Sequence, residues 1–283
     1  YNFKTSTNIE KNVIDDFGRE WETFNQKNLE KDELKLLFNR YFHIFDFSKL
    51  KNNAIGFDLG CGSGRWAKIV ADKVSHLHCI DPSKAIEVCK KNLSEKENCT
   101  FHKLEVFNLP FSKKSMDFGY SLGVLHHIPD SFEALKKCTE ILKPGAPFLL
   151  YLYYSLDNRP VWYYFIWRIS NFFRYFISFL PYNLKKIISF IIALNFYFPL
   201  AKVSKLLEKL KLSTHNVPLS SYKNLSFYTM QTDAYDRFCT KLEKRFSKEE
   251  IYKMMDNAGL ENIHFSNKPP YWVSVGTKKN NYD

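Results

Sequence analysis

The run Ala54-Ile55-Gly56-Phe57-Asp58-Leu59-Gly60-Cys61-Gly62-Ser63-Gly64-Arg65-Trp66-Ala67 constrains this chain more than any other stretch. An apolar segment ends in an acid, glycines then occupy alternate positions, and a helical pattern follows. The order predicts strand, tight turn, helix. Ile55, Phe57 and Leu59 supply a short buried strand, and Trp66, Ile69 and Val70 carry the 3.6-residue period after the turn. Glycine removes side chains where the backbone turns with positive φ and where a ligand must lie against bare amides. A nucleotide-like ligand is expected here.

Spacing decides which one. A dinucleotide fingerprint needs G-x-G-x-x-G, and Arg65 stands where its third glycine belongs. The segment Asp58-x-Gly60-x-Gly62-x-Gly64, followed by a second apolar strand ending in an acid (His78-Cys79-Ile80-Asp81), resembles motif I and the second-strand acid of class I S-adenosylmethionine (SAM) dependent methyltransferases. The acids suit that cofactor: a carboxylate grips a ribose diol through two hydrogen bonds, and acids tolerate a sulfonium cation.

Later segments extend the likeness. Glu105-Val106-Phe107-Asn108-Leu109-Pro110-Phe111 is similar to the family's D-A-x-x-L-P-F segment, with a longer acid and Val for Ala. Met116 to Asp130 closely resembles the fourth-strand segment and its L-H-H-x-P-D ending at His126 and His127. The resemblance implies an α/β fold, a doubly wound, mostly parallel, Rossmann-like seven-stranded sheet of order 3-2-1-4-5-7-6. It also implies Asp58, Gly60, Gly62, Gly64, Asp81, Glu105, Val106 and Ser121 as cofactor-binding residues. His126 or His127 is the candidate base. Tyr153, Tyr154 and Arg237 are candidate acceptor contacts, and no metal is expected.

The likeness lapses after the fifth apolar strand (146–154) and returns near Phe246, where Ser247 and Glu250 form a capping box before a helix closed by Gly259. Leu260 to Phe265 and Tyr271 to Thr277 read as the closing antiparallel pair. The expected organisation is an N-terminal helical layer or flap over 1–50, a cofactor-binding core over 51–154 and 246–283, and an insertion over 155–245. Residues 1–16 read as polar and loose. Phe17-Gly18-Arg19-Glu20-Trp21 suits either packing on the sheet or a flap at the cofactor mouth.

The insertion departs most from an ordinary enzyme core. From Phe148 to Phe198 lie 19 of the chain's 48 aromatic residues. Trp162, Phe165, Ile169, Phe173 and Phe176 recur at helical spacing, as do Leu184, Ile187, Ile188 and Ile191, so two amphipathic helices are expected. No acid occurs between Asp157 and Glu208, while seven Arg and Lys residues there contribute much of the net +11. Charges interrupt both apolar runs short of the ~20 residues that span a bilayer. This much aromatic surface is expected to be covered on a soluble monomer. Three readings follow in order: a packed lid over the acceptor, a homodimer face, and peripheral contact with anionic membrane.

Six scattered cysteines without a C-x-x-C pair read as reduced core thiols of a cytoplasmic protein, and the polar opening Tyr1-Asn2-Phe3-Lys4-Thr5 has no signal-peptide pattern. The basic charge lies among apolar helices and forms no evident polar stripe, so a nucleic-acid partner is not expected. The resemblance implies methyl transfer from SAM to a small, apolar or amphipathic acceptor such as a lipid, quinone precursor or saccharide intermediate. The alternatives are a catalytically degenerate SAM-fold subunit that binds a partner, and a membrane-surface lipid methyltransferase.

Overall fold

The computed structural model describes residues 7–27 and 29–280, with side chains described from Ile14 onward. In chain order come α1 (Thr7–Thr23), α2 (Lys31–Phe42), β1 (Ile55–Leu59), α3 (Ala67–Val70), β2 (His76–Ile80), α4 (Ala85–Asn92), β3 (Cys99–His102), β4 (Phe118–Leu122), α5 (Ser131–Glu140) and β5 (Pro147–Tyr151). Then follow α6 (Val161–Ile177), α7 (Tyr182–Ile192), α8 (Phe198–Lys209), α9 (Phe227–Cys239), α10 (Lys248–Asn257), β6 (Leu260–Phe265) and β7 (Ser274–Lys278). The chain divides into a sheet unit of Tyr1–Asn28, Leu34–Ser155 and Leu242–Asp283, and a helical unit of Leu29–Glu33 and Leu156–Lys241.

The seven strands of the sheet unit lie in the order β3-β2-β1-β4-β5-β7-β6. The first five are parallel, and β7 runs antiparallel between β5 and β6. Parallel central strands covered on both faces need continuous apolar sequence, which explains why β1, β4 and β5 show little alternation. Phe57, Phe148, Leu150, Ile251 and Met255 share one core. On the other side, Phe42 meets Tyr120 at 5.2 Å between ring centroids and Phe45 meets Phe118 at 6.2 Å.

A reciprocal contact fixes β1 against β4. Gly56 pairs with Phe118, and Phe57 pairs with Gly119. A methyl group on Gly56 would sit 2.3 Å from the Phe118 ring, and one on Gly119 would sit 2.3 Å from the Phe57 ring. Each face of the pair therefore carries one aromatic ring laid over bare backbone. Both rings are fully buried.

The capping box at Ser247 and Glu250 forms with both of its hydrogen bonds, and Gly259 turns the chain out of α10 at φ 84. One sequence expectation needs correction here. Residues 7–16 are helical within α1, where loose chain was expected; residues 1–6 lie outside the described residues. The helix after β1 is a single α-turn over Ala67–Val70 continued by a 3-10 turn over Ala71–Lys73.

In the helical unit the predicted second amphipathic helix is much longer than its apolar pattern suggested. α7, a π-helical turn over Ala193–Tyr197 and α8 run on as one 28-residue helix, Tyr182–Lys209, long and apolar enough by length and composition to cross a bilayer. The π turn precedes Pro199, whose missing N–H breaks the regular ladder. Ala193, Tyr197 and Ala201 pack with Met230 and Ala234 of α9. Ser226 caps α9 by accepting from Thr229 N at 3.3 Å, and Glu33 accepts from both Ser226 and Thr229. The expectation that the aromatic surface is covered fails: no residue of α6 is buried.

Replacing Gly119 with Ala is expected to destabilise the protein by about 1–3 kcal/mol, because the added methyl overpacks a ring with no room to shift. Urea unfolding followed by circular dichroism measures it. A variant as stable as the parent would show that the Phe57 ring does not lie over this backbone.

Candidate active site

Asp58 is the penultimate residue of β1 and Asp81 directly follows β2, both at the edge where open parallel sheets receive ligands. Between β1 and α3 the chain turns through Gly60, Gly62 and Gly64 at φ 75, 53 and 79, a region that side chains disfavour. Space forbids side chains there as well. A Cβ at Gly60 would meet Val124 at 2.3 Å, one at Gly62 would meet the Trp21 indole at 2.9 Å, and one at Gly64 would meet Leu93 at 2.4 Å.

Asp58 is 1% exposed and accepts a hydrogen bond from Tyr120 Oη at 2.9 Å. Burial raises its pKa to about 8, outweighing the Tyr120 hydrogen bond and the Arg65 charge, which pull the other way. Asp81 accepts from Gly62 N at 3.1 Å, Ser83 N at 2.9 Å and Ser83 Oγ at 2.6 Å. Burial again raises its pKa against those three donors. The carboxylate thus ties the glycine turn to the start of α4, and three hydrogen bonds leave it acceptor capacity. Ser121 is fully buried and donates to Leu59 O at 3.1 Å, so its hydroxyl locks β4 to the end of β1. Glu105 is exposed after β3, and its neighbour Val106 is buried.

His126 and His127 lie in a 3-10 turn just after Val124, the residue that abuts Gly60. Their environments differ. His126 is fully buried, stacked on Tyr153 with ring centroids 3.9 Å apart, and neither ring nitrogen has a hydrogen-bond partner among the described residues. Burial, then His127 and Arg245, hold its pKa well below 6.5, so the ring is neutral. His127 donates from Nδ1 to Leu242 O at 2.6 Å, which leaves Nε2, buried and without a partner, as its free lone pair. Of the two, His127 has the geometry of a base.

Residues Phe17 to Trp21 make contacts at three parts of the site. Phe17 packs edge-on against His127 at 4.8 Å, a Cβ on Gly18 would lie 3.2 Å from Lys84 N, and Trp21 covers Gly62. The face of α1 over one helical turn therefore touches the histidine turn, the start of α4 and the glycine turn. Arg65 lies over Trp66 at 4.3 Å and near Trp21 at 5.6 Å. Trp66, Tyr41, Tyr151, Tyr153 and the two histidines continue as an aromatic wall with successive ring centroids 3.9–6.1 Å apart. Phe17, Tyr41, Ser83 and Tyr120 belong to this constellation and carry no sequence motif. Tyr154 lies beside it, its carbonyl accepting from Arg245. Arg237 belongs to the helical unit, where it donates to Ser170 Oγ at 3.2 Å.

Residues 57–150 match the family described as methyltransferase domain. The chain carries a class I SAM-dependent methyltransferase domain. It is 28% identical over 113 residues to the sterol 4-C-methyltransferase strm-1 of Caenorhabditis elegans, covering 38% of this chain and 34% of that protein. It is also 28% identical over 106 residues to the Mus musculus protein named "Probable tRNA methyltransferase 9B", covering 36% of this chain and 22% of the mouse protein. The chain thus spans about a third or less of these relatives. In fold it resembles a chain of the solved structure described as "Complex between the Haloferax volcanii Trm112 methyltransferase activator and the putative methyltransferase", with TM-score 0.52 and 14% identity over 94% of this chain and 98% of that one.

The cofactor of the methyltransferase domain is SAM, and the residues present fit it. Side-chain-free backbone forms a cradle, Ser63 Oγ is buried beside it without a partner, and the carboxylates of Asp58 and Asp81 are buried close by. Among the described residues, no group of His, Cys, Asp and Glu has a metal-holding arrangement.

Keeping His126 neutral links stability to pH. Its folded pKa lies below its unfolded value of about 6.5, so the unfolded chain binds the proton first and stability falls as pH drops through that value. Urea midpoints are expected to decline from pH 7 to pH 5, and His126→Phe, which keeps a ring on Tyr153, should flatten that decline. Parallel pH profiles for the two proteins would remove His126 as the cause.

Proposed function

We propose that this chain transfers the methyl group of SAM to an apolar or amphipathic small molecule. The aromatic wall that ends at the unpartnered Nε2 of His127 carries this reading, because such a surface accepts flat or aliphatic groups and offers one basic atom. The sterol substrate named for the worm relative supports the same acceptor class.

Each residue then has a task. Asp81 holds the ribose hydroxyls with the acceptor capacity its three hydrogen bonds leave, and Gly60, Gly62 and Gly64 let the cofactor lie on backbone. Asp58 supplies negative charge toward the cationic end, while Glu105 and Val106 would hold the adenine. Bound SAM supplies an electrophilic methyl carbon, and the protein mainly contributes position. His127 Nε2 takes the proton of a hydroxyl or acidic-carbon acceptor, Nδ1 being held by the Leu242 carbonyl. Tyr153 orients the acceptor ring or chain, and α1 screens the site from water through Phe17 and Trp21.

Two measurements test the cofactor half. Asp58 is protonated at neutral pH, and a cationic ligand favours its charged form, so SAM binding at pH 7 should release a proton. Calorimetry in buffers of different ionisation enthalpy detects the release, and Asp58→Asn should abolish it. Asp81→Asn should weaken SAM roughly tenfold through loss of charge-assisted hydrogen bonds. Buffer-independent heats together with unchanged affinity would detach both acids from the cofactor.

The acceptor half is tested with methyl-labelled SAM offered with sterols, quinone precursors and RNA. Labelled sterol or quinone supports the proposal, and label confined to RNA overturns it in favour of the class named for the mouse relative. His127→Ala should lower turnover about 10²–10⁴-fold with SAM affinity kept. SAM binding without transfer to any acceptor class would support the degenerate, partner-binding reading.

A further inference from the structure

The helical unit has a small core on α9 and leaves most of its large apolar side chains outside. The face of α6 turned inward mixes Tyr163, Trp167 and Ile177 with Ser170, Asn171 and Arg174, all half-buried. Arg174 donates to Asn171 Oδ1 at 2.8 Å and to Thr240 O at 2.8 Å, and Arg237 donates to Ser170. The outward face carries Phe165, Ile169 and Phe172, each about 60% exposed (60%, 61% and 61%). The long helix Tyr182–Lys209 repeats this arrangement. Its buried stripe is Lys185, Ser189, Ala193, Tyr197, Ala201 and Ser204, whereas Ile187, Ile191, Phe196 and Leu206 face out. Ser189 satisfies its hydroxyl by donating to Lys186 O within its own helix.

Helices that fold in water bury the apolar stripe and solvate the polar one. Helices that fold against lipid do the reverse, meeting each other through small and polar residues. Charge names the lipid. Between Asp157 and Glu208 the chain holds no acid, and Arg168, Lys186, Lys202 and Lys205 are exposed on the same helices as the apolar face. Lys202 lies over the Phe198 ring at 4.9 Å and Arg168 over Tyr164 at 5.8 Å, so cation and aromatic ring share one place on the surface. By length and composition the Tyr182–Lys209 helix could span a bilayer, and the lysines near both of its ends set the choice against insertion. The charge-free run from Ile187 to Ala201 is about 22 Å of helix at ~1.5 Å per residue, short of the ~30 Å hydrocarbon core.

We infer that α6 and the Tyr182–Lys209 helix dock this protein on an anionic bilayer, lying in the plane of the interface with their aromatic and aliphatic faces in the acyl boundary and their lysines and arginines at the headgroups. This inference stands apart from the methyl-transfer reading, since no residue on the docking faces has a task in that reading.

The test uses the full chain and extruded vesicles of phosphatidylcholine with or without phosphatidylglycerol. Co-sedimentation is expected with the anionic vesicles, weakened more than tenfold by raising salt, and with a blue shift of tryptophan emission as Trp162 leaves water. Phe165→Ser/Phe172→Ser/Phe176→Ser should lose binding, and Lys202→Glu/Lys205→Glu should weaken it on the order of tenfold or more. Circular dichroism and SAM calorimetry check that both variants fold, and the wild-type salt and emission data stand without them. Equal binding to neutral vesicles, no binding to either kind, or a soluble dimer dispersed by the Phe variant with no vesicle affinity would overturn the inference. Resistance to alkaline carbonate extraction would also overturn it, by showing a spanning helix. Failure of SAM to bind bears only on the proposed function.

Discussion

Bare backbone at the carboxyl end of β1 is the constraint on which the sheet unit depends. Three alternate glycines let the chain reverse between strand and helix, and each missing side chain is replaced by another residue's bulk: Val124 at Gly60, Trp21 at Gly62, Leu93 and Cys89 at Gly64. Those neighbours come from the β4 exit, from α1 and from α4. The turn is therefore the point where three separate connections are brought to fixed distances. The reciprocal Gly–Phe pairing one turn earlier holds β1 and β4 in the register that makes this possible.

Electrostatics at the same edge follow from burial. Asp58 and Asp81 sit where water is excluded, and both have raised pKa values because the charged form loses its hydration. Asp81 recovers part of that loss through three local donors, whereas Asp58 has the Tyr120 hydroxyl. A site so arranged is short of positive charge, which suits a cationic cofactor better than a phosphate. The histidine pair shows the same logic with the opposite sign: burial removes the charge from His126, and a single backbone carbonyl sets the tautomer of His127.

Strand positions and sheet order were legible because buried parallel strands are short apolar runs ended by acids and glycines, and because the motif order resembles one family. The cofactor segments were legible for the same reason. Contacts made across the fold were not. Phe17 and Trp21 read as a pair of aromatics near a helix start, and nothing local says that one will meet His127 and the other Gly62. Nor does sequence separate the two histidines, since the difference lies in the carbonyl of Leu242, 115 residues away.

The helical unit exposes a deeper limit of pattern reading. An apolar stripe at a 3.6-residue period says that a helix has two faces, and leaves open which face meets protein. The opposite stripe decides it. The guanidinium of half-buried Arg174 donates to Asn171 and to the Thr240 carbonyl, and that carbonyl lies at the end of α9, where a cation also meets the helix dipole. Ser189, Ala193 and Ala201 are small enough to bring backbone close to backbone. Turning the phenylalanines inward would unpair the arginine and open gaps where the small residues now fit. The polar contacts therefore fix the orientation of these helices, and the exposed aromatic surface is a consequence of a well-packed interior and no sign of an incomplete one.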